Sequence, residues 1–292
     1  MADIKRRREQ NKEGLYYVDD TCIDCDACRW IAPETFQRVD QMSAVVQQPR
    51  SRPQKVDAAR ALLSCPTSSI GTKLPTPEVK DEIQNYPLPV DDEGKVFYCG
   101  FHSRKSFGAA TYFIKTEAGN YLIDCPRFHP QLAKSLESHG GVHKILLTHQ
   151  DDVADHHKFH KHFGAKRFIH EDENPSVAQH MEIKFQGQKA IEMEGGIKII
   201  PVPGHTKGHV VFLFEDRYLF TGDHLTYSST YNQLIGFRTA CWYDWDIQIK
   251  SMEKLLQYQF EWVLPGHGRR YQNSHDMRDK LKTCIEWMIA KS

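Results

Sequence analysis

The sequence predicts a mixed α+β chain in two parts, a small cysteine-bearing piece followed by a layered domain of alternating strands and helices. Three observations carry this. Cys22, Cys25 and Cys28 crowd into seven residues, and Cys65 follows far downstream. From Val96 onward, short β-branched and aromatic runs alternate with segments of helical spacing. Between these regions lies KLPTPEVKDEIQNYPLPVDDEGK, Pro-rich, polar and nearly aperiodic. The expected division is a basic flexible tail over residues 1–14, a cysteine domain over 15–75, a linker over 76–95 and the layered domain over 96–292.

Composition narrows the function classes. Lys+Arg and Asp+Glu are equal at 38 each, so no broad field draws the chain to nucleic acid or membrane. No apolar run approaches the roughly 20 residues of a membrane span. The start, MADIKRRREQNKEG, is basic but has no apolar core, and is read as a solvated tail rather than a secretory signal. Eight cysteines in an even count would suit disulfides in a secreted protein. Three within seven residues suit a metal cluster in a reducing, cytoplasmic compartment better.

Taken in order, the first ordered piece begins near Leu15. Thiolates at C-x2-C-x2-C spacing wrap one face of a cubane, and Cys65-Pro66 supplies the fourth ligand as the proline turns the chain away. A zinc site and unrelated buried thiols are the alternatives, but zinc normally brings a second C-x2-C pair. The triplet, the APETF that follows it, a helical segment from Val56 to Leu63 and the terminal CPTSSI resemble single-cluster bacterial-type ferredoxins. That resemblance implies a [4Fe–4S] cluster held by Cys22, Cys25, Cys28 and Cys65.

In the second part, VFYCG, ATYFIKT and NYLIDCP read as strands, with Gly119-Asn120 as a hairpin turn. HPQLAKSLESHG reads as a helix leading into the strand LLTH. HHKFHKHFGA is helical up to a stop at Gly164, and AKRFIHE is the next strand. A further strand is expected ahead of Gly195, then two more in IKIIPVPGHTKGHVVFLFEDRYLFTGDHL. IQIKSMEKLLQYQF reads as a helix, FEWVLPGHG as a strand and loop, and MRDKLKTCIEWMIAKS as a closing helix.

Four polar points each follow an apolar run: His149 to His156, His205 to His209, Asp223-His224, and Pro265-Gly266-His267. Loops at one edge of a layered domain can bring them together. Their order and wording closely resemble the metallo-β-lactamase-fold superfamily from Val96 onward. The resemblance implies an αββα sandwich with two divalent metal ions at its edge. It carries the metal-ligand roles to His149, Asp155, His156, His205, Asp223 and His267, with Asp223 bridging, and makes Asp124 a landmark that is not a ligand. Asp155 would also orient the attacking water, which makes it the candidate catalytic residue.

The first motif departs from the family. H-x-H-x-D-H occupies six positions and His149 to His156 occupies eight. Asp151 stands where the second histidine belongs and is a candidate metal ligand, with Asp152 a further one. His157, His160 and His162 read as helix surface. His209 and His224 read as hydrogen-bond partners of the ligands. Phe101 to Ser103 and Ser106 to Gly108 read as a hairpin turn, with substrate contact as the other reading. Trp242 to Trp245 read as packing of a long loop. Cys99, Cys125, Cys241 and Cys284 read as inert thiols.

The resemblance implies a metallo-hydrolase with zinc, iron or manganese. Metal-bound hydroxide would attack an ester, thioester or amide of a small-molecule substrate, and the cluster would be a redox or structural module. A di-iron oxidoreductase similar to the flavodiiron proteins, fed by the cluster and a redox partner protein, is the alternative. A non-catalytic cluster-bearing partner protein with a degenerate metal site is the second alternative.

Overall fold

The computed structural model describes residues 2–292. The chain forms two compact units, one holding residues up to Phe113 with Pro126–Gly141, the other Ile114–Cys125 with Val142–Ser292.

In the first unit, strand Tyr16–Val18 pairs antiparallel with Ile70–Thr72, closing the cysteine region on itself. The short helix Ala27–Ile31 carries Cys28, and hairpin Phe36–Val39/Met42–Val45 follows. Helix Arg52–Ser64 starts at a capping box between Ser51 and Gln54, has proline in its first turn and delivers Cys65 at its C-terminal end. Its apolar side meets Phe36, Val45, Val18 and Ile70 in a small core.

Two stretches are more ordered than the sequence suggests. In the basic tail, Arg8 is buried and its guanidinium donates to the Ser43 and Val39 carbonyls, while Asn11 bonds the Val18 backbone. In the Pro-rich stretch, Pro77–Asn85 is a helix capped by Thr76. Glu82 on this helix is buried and paired with Arg60 at 2.7 Å.

The second unit layers two sheets. In one, Tyr121–Ile123, Lys144–Leu146, Lys166–His170 and Ile183–Phe185 run parallel, side by side in that order. Leu122, Ile145, Leu146 and Ile169 on the inner strands are fully buried, whereas Ile183 and Lys184 on the edge strand are exposed. The other is six-stranded, in the order Ile191–Met193, Ile197–Pro201, Val210–Phe214, Tyr218–Gly222, Trp262–Pro265, Tyr271–Gln272. All its pairings are antiparallel except Tyr218–Gly222 with Trp262–Pro265. Phe185 meets Phe212 edge-on between the sheets, at 6.5 Å between ring centres. Helices Trp245–Leu255 and Met277–Ile289 cover the outer face of the six-stranded sheet, burying Met252, Leu255, Leu281 and Met288 against Val211, Leu219 and Val263. Among the described residues no helix is long and apolar enough to cross a membrane.

Arg167, on strand Lys166–His170, is gripped by Glu182 through two contacts of 2.6 and 3.1 Å. The Arg167 hydrogen bond holds the Glu182 carboxyl down at about 2. A carboxylate depressed this way stabilises the fold above its ordinary range and loses the effect as pH falls through its folded value. Glu182→Gln should therefore cost about 1 kcal/mol at neutral pH, because solvent screens the carboxylate side of the pair. Thermal melting should show a drop of about 2–4 °C, shrinking between pH ~4.5 and ~2. An equal deficit at pH ~3 and pH ~7 would show that the ion pair is not its source.

Candidate metal centre and cluster site

The metal centre lies where strands of the second unit end. Strand Lys144–Leu146 runs into Leu147, Thr148 and His149, all fully buried. Asp124 follows strand Tyr121–Ile123 and accepts from the Thr148 amide at 2.8 Å and from its hydroxyl at 2.9 Å. With its proton committed to Asp124, that hydroxyl accepts from His149 Nδ1–H at 2.9 Å. The chain Asp124–Thr148–His149 thus fixes the tautomer that leaves the His149 Nε2 lone pair facing outward. Burial pushes the Asp124 carboxyl up to about 7, although the Thr148 bonds work against the rise.

Four side chains converge on that Nε2. Asp151 Oδ2 is 3.9 Å and Asp223 Oδ2 3.8 Å from His149 Nε2. The same two oxygens lie 3.9 and 3.8 Å from His205 Nε2. These spacings are too long for hydrogen bonds and suit donors gathered around one ion. A second group shares His149 and joins it to Asp152 and Asp223, with its donor atoms within 4.8 Å of one another. His267 Nδ1 reaches Asp223 Oδ1 at 2.7 Å.

The fit to metal rests on buried atoms without partners. Among the described residues, His149 Nε2, His205 Nε2 and both oxygens of Asp152 are buried and make no hydrogen bond, a cost that coordination would remove. Burial pulls His149 down to about 3 and also lowers His205, so both imidazoles are neutral ligands at physiological pH. Asp152 is pushed well above the carboxylate range by burial and then by Asp223. For Asp223, burial favours the neutral form, but His267, His149 and His205 together outweigh it and hold the carboxyl below its usual range. Three imidazoles and three carboxylates make this an oxygen-rich donor set.

Two residues of the first motif stand elsewhere. Asp155 is buried at the start of helix His156–Phe163 and pairs with Lys158 at 3.0 Å. His156 Nδ1 bonds Arg167 at 3.0 Å. Neither belongs to the two ligand groups. Asp152 takes a place beside Asp223 instead.

The supporting residues explain the loop shapes. His209 stacks on His149 at 4.9 Å between ring centres and accepts from the Asp223 amide; His224 is buried beside it. Gly222 has a φ of +49°, and a Cβ there would lie 2.6 Å from Thr148 Oγ1 and 2.9 Å from His209 Nε2, so only glycine lets Asp223 approach. Glu173 has no motif to announce it, yet it is buried, accepts from the Gln150 amide and takes the Thr206 hydroxyl, tying two ligand loops together. Burial first of all raises its carboxyl to about 7. The aromatic run splits, and only Trp245 packs as expected of the whole. Trp242 and Tyr243 are 66% and 47% exposed, and the Trp242 ring stands 6.3 Å from that of His205.

In the first unit, Cys22, Cys25, Cys28 and Cys65 line one small pocket. Burial pushes the Cys25 thiol up to about 12 and Cys28 well above the usual range. Clustered buried thiols are disfavoured as thiolates unless a cationic group sits among them, which an iron–sulfur core provides. The Ser69 amide donates to Cys65 Sγ at 3.2 Å, supplying the kind of hydrogen bond that tunes cluster sulfurs. Gly108, in the loop from Phe101, abuts this pocket, with φ +93° and room for a Cβ only 2.8 Å from that of Cys25. Instead of a plain hairpin turn, the loop forms part of the wall around a cluster ligand. Cys99 and Cys284 are buried, and burial lifts both to about 12.

Comparison with known proteins finds matches for both parts of the chain. Residues 18–72 match the 4Fe-4S single cluster domain of ferredoxin I. A Drosophila melanogaster protein described as "Beta-lactamase-like protein 2 homolog" is 26% identical over 182 residues, which is 55% of this chain and 59% of that protein's length. A metallo-beta-lactamase from Pontibacter korlensis superposes with a TM-score of 0.52 at 18% identity, covering 69% of this chain and 97% of its own. The DIM-1 metallo-beta-lactamase superposes at 0.54 with 17% identity, covering 70% and 96%. Residues 106–267, more than half of the chain, match the metallo-beta-lactamase superfamily, and the chain belongs to that superfamily, joined to a ferredoxin-type single-cluster domain.

Proposed function

We propose that the protein is a metal-dependent hydrolase with a binuclear centre, acting on an ester, thioester or amide, and that its [4Fe–4S] domain is a redox or structural module. The observation that carries this reading is the pair of ligand groups that share His149, one with Asp151 and His205 and the other with Asp152 and Asp223. His149, Asp151 and His205 would hold one ion; Asp152 and His267 would hold the other, with Asp223 between them. Divalent ions bound there supply Lewis-acid polarisation of a carbonyl and activation of water. Asp124 and Thr148 keep His149 in its ligand tautomer. Asp152, with two oxygens lacking hydrogen-bond partners, is the carboxylate available to take the proton of the attacking water. Trp242 offers an apolar wall beside His205. Trp242→Ala should raise KM several-fold for substrates with an apolar acyl group while metal content and kcat hold. A fall in kcat with unchanged KM would remove Trp242 from substrate binding.

A di-iron oxidoreductase is the second reading. Three carboxylates, Asp151, Asp152 and Asp223, favour harder ions such as iron or manganese, and a cluster domain on the same chain gives a source of electrons. The deciding experiment is metal and acid-labile sulfide content of protein purified without oxygen. About four irons and four sulfides with about two zincs, together with turnover in an ester and thioester panel, support the hydrolase. About six irons with four sulfides and no hydrolysis would replace it with the oxidoreductase.

A further inference from the structure

The first unit holds a cleft of about 600 Å³ that shares only Ile70 with the cysteine pocket. Its size falls in the range that holds a drug-sized ligand. Helix Pro77–Asn85 gives it Val79 and Ile83, helix Arg52–Ser64 gives Leu62 and Leu63, and Phe101 and Ile70 add further apolar surface. The charged residues lining this surface are all of one sign. Lys80 and Arg127 line the cleft beside the imidazole of His129, and no carboxylate does.

Arg127 is the telling residue. Its backbone is fixed by donation to the Phe101 carbonyl at 2.8 Å. Its side chain is half-buried, and its Nε is buried without a hydrogen bond among the described residues. Arg7 likewise leaves its Nε unbonded but donates from Nη2 to the Asn11 carbonyl, and the other buried or half-buried arginines of this unit, Arg8, Arg29 and Arg60, all have carbonyl or carboxylate partners. A guanidinium taken out of water without a partner is costly, and arginine is suited to planar, bidentate recognition of acidic groups. Phe101 stacks on His129 at 4.7 Å between ring centres. His129 is lowered by burial and by the charge of Arg127, so the uncompensated field of the guanidinium is felt inside the cleft. On the lining helix, Glu82 is taken by Arg60.

We propose that this cleft binds an anionic amphiphile, a single acidic head group on an apolar chain or ring. The head group pairs with Arg127, assisted by Lys80, and the apolar body lies along Val79, Ile83, Leu62 and Phe101. Carboxylates and phosphate monoesters share that chemistry. The site is independent of the His/Asp metal centre and of the hydrolytic reading.

Calorimetric titration of the full, cluster-loaded chain tests it. The probes are decanoate, decyl phosphate, decylamine and inorganic phosphate. Saturable one-to-one binding of decanoate or decyl phosphate is expected, and the tighter of the two identifies the head group. Decylamine and inorganic phosphate should bind at least about 10-fold more weakly, lacking the charge or the apolar body. Arg127→Gln should weaken the anionic probe about 10-fold, with Arg127→Lys in between. Val79→Trp, which fills the cleft and leaves every charge in place, should abolish binding while visible cluster absorbance is kept. Equal binding of decylamine and decanoate, no saturable binding of either anion, or full binding by Val79→Trp would each overturn the proposal.

Discussion

Asp223→Ala should empty both metal positions at once, and Asp155→Ala should empty neither. Asp223 reaches His149, His205 and His267 together. Its removal leaves three imidazoles with no shared anion between them. Outer partners of metal ligands typically cost 10- to 100-fold in metal affinity or activity, so losing a shared ligand should cost at least about 100-fold in turnover. Asp155 is buried and pairs with Lys158, and its loss should cost local stability of about 1 kcal/mol and no metal. Asp152→Ala separates the alternatives most sharply. It should lower bound metal by about one ion per chain and cut turnover, because Asp152 belongs only to the second group. Metal analysis after dialysis reads all three variants. Loss of metal from Asp155→Ala equal to that from Asp223→Ala would return the ligand role to Asp155 and sink the present placement of Asp152.

That contest among three aspartates marks where the sequence stops being legible. The strand ends, the PGH turns and the GD aspartate could be read because each rests on a local pattern, an apolar run broken by a small residue and a ligand. His149, His205, Asp223 and His267 do converge. The stretch from Asp151 to His156 offers ligand types at nearly every position, and spacing alone matches its final Asp-His pair to the family motif. Which carboxylate points inward is set by backbone torsion instead. Ala154 sits at a φ of +33°, and helix His156–Phe163 begins directly afterwards, carrying Asp155 and His156 onto it. Residues that act through buried hydrogen bonds, such as Glu173 with the Gln150 amide and Thr206, leave no spacing signature, because their partners lie on different loops. The helix Pro77–Asn85 failed to register for a different reason. Thr76, Pro77 and Glu78 form a good helix start, but the prolines around the segment weigh toward an extended linker in any reading of composition.

Cys65→Ser should remove the whole cluster, not a quarter of its strength. Cys22, Cys25 and Cys28 come from one loop and the helix it enters, whereas Cys65 comes from the end of helix Arg52–Ser64. The fourth ligand is therefore the one that pins the triplet to a distant segment. The core beneath them is small. Besides Tyr16, Phe36 and a few aliphatic side chains, it contains alanines 32, 58 and 61 and the cysteines 28 and 65 themselves. A region of that size buries little apolar surface, and a bound cluster would act as its staple. Loss of one thiolate would leave buried Cys28 and half-buried Cys22 and Cys25 without the cation that makes their ionised form tolerable. Iron should fall by about four per chain with the acid-labile sulfide, and visible absorbance should vanish. The pairing of Tyr16–Val18 with Ile70–Thr72 should become open to amide hydrogen exchange. Cys284→Ser is the control, since Cys284 is a buried thiol packed with Leu281, Ile285 and Met288, and it should keep its iron. Full cluster absorbance in Cys65→Ser would remove Cys65 from the ligand set; loss of absorbance with unchanged exchange at Tyr16–Val18 would leave the ligand role standing and show that the fold there does not depend on the cluster.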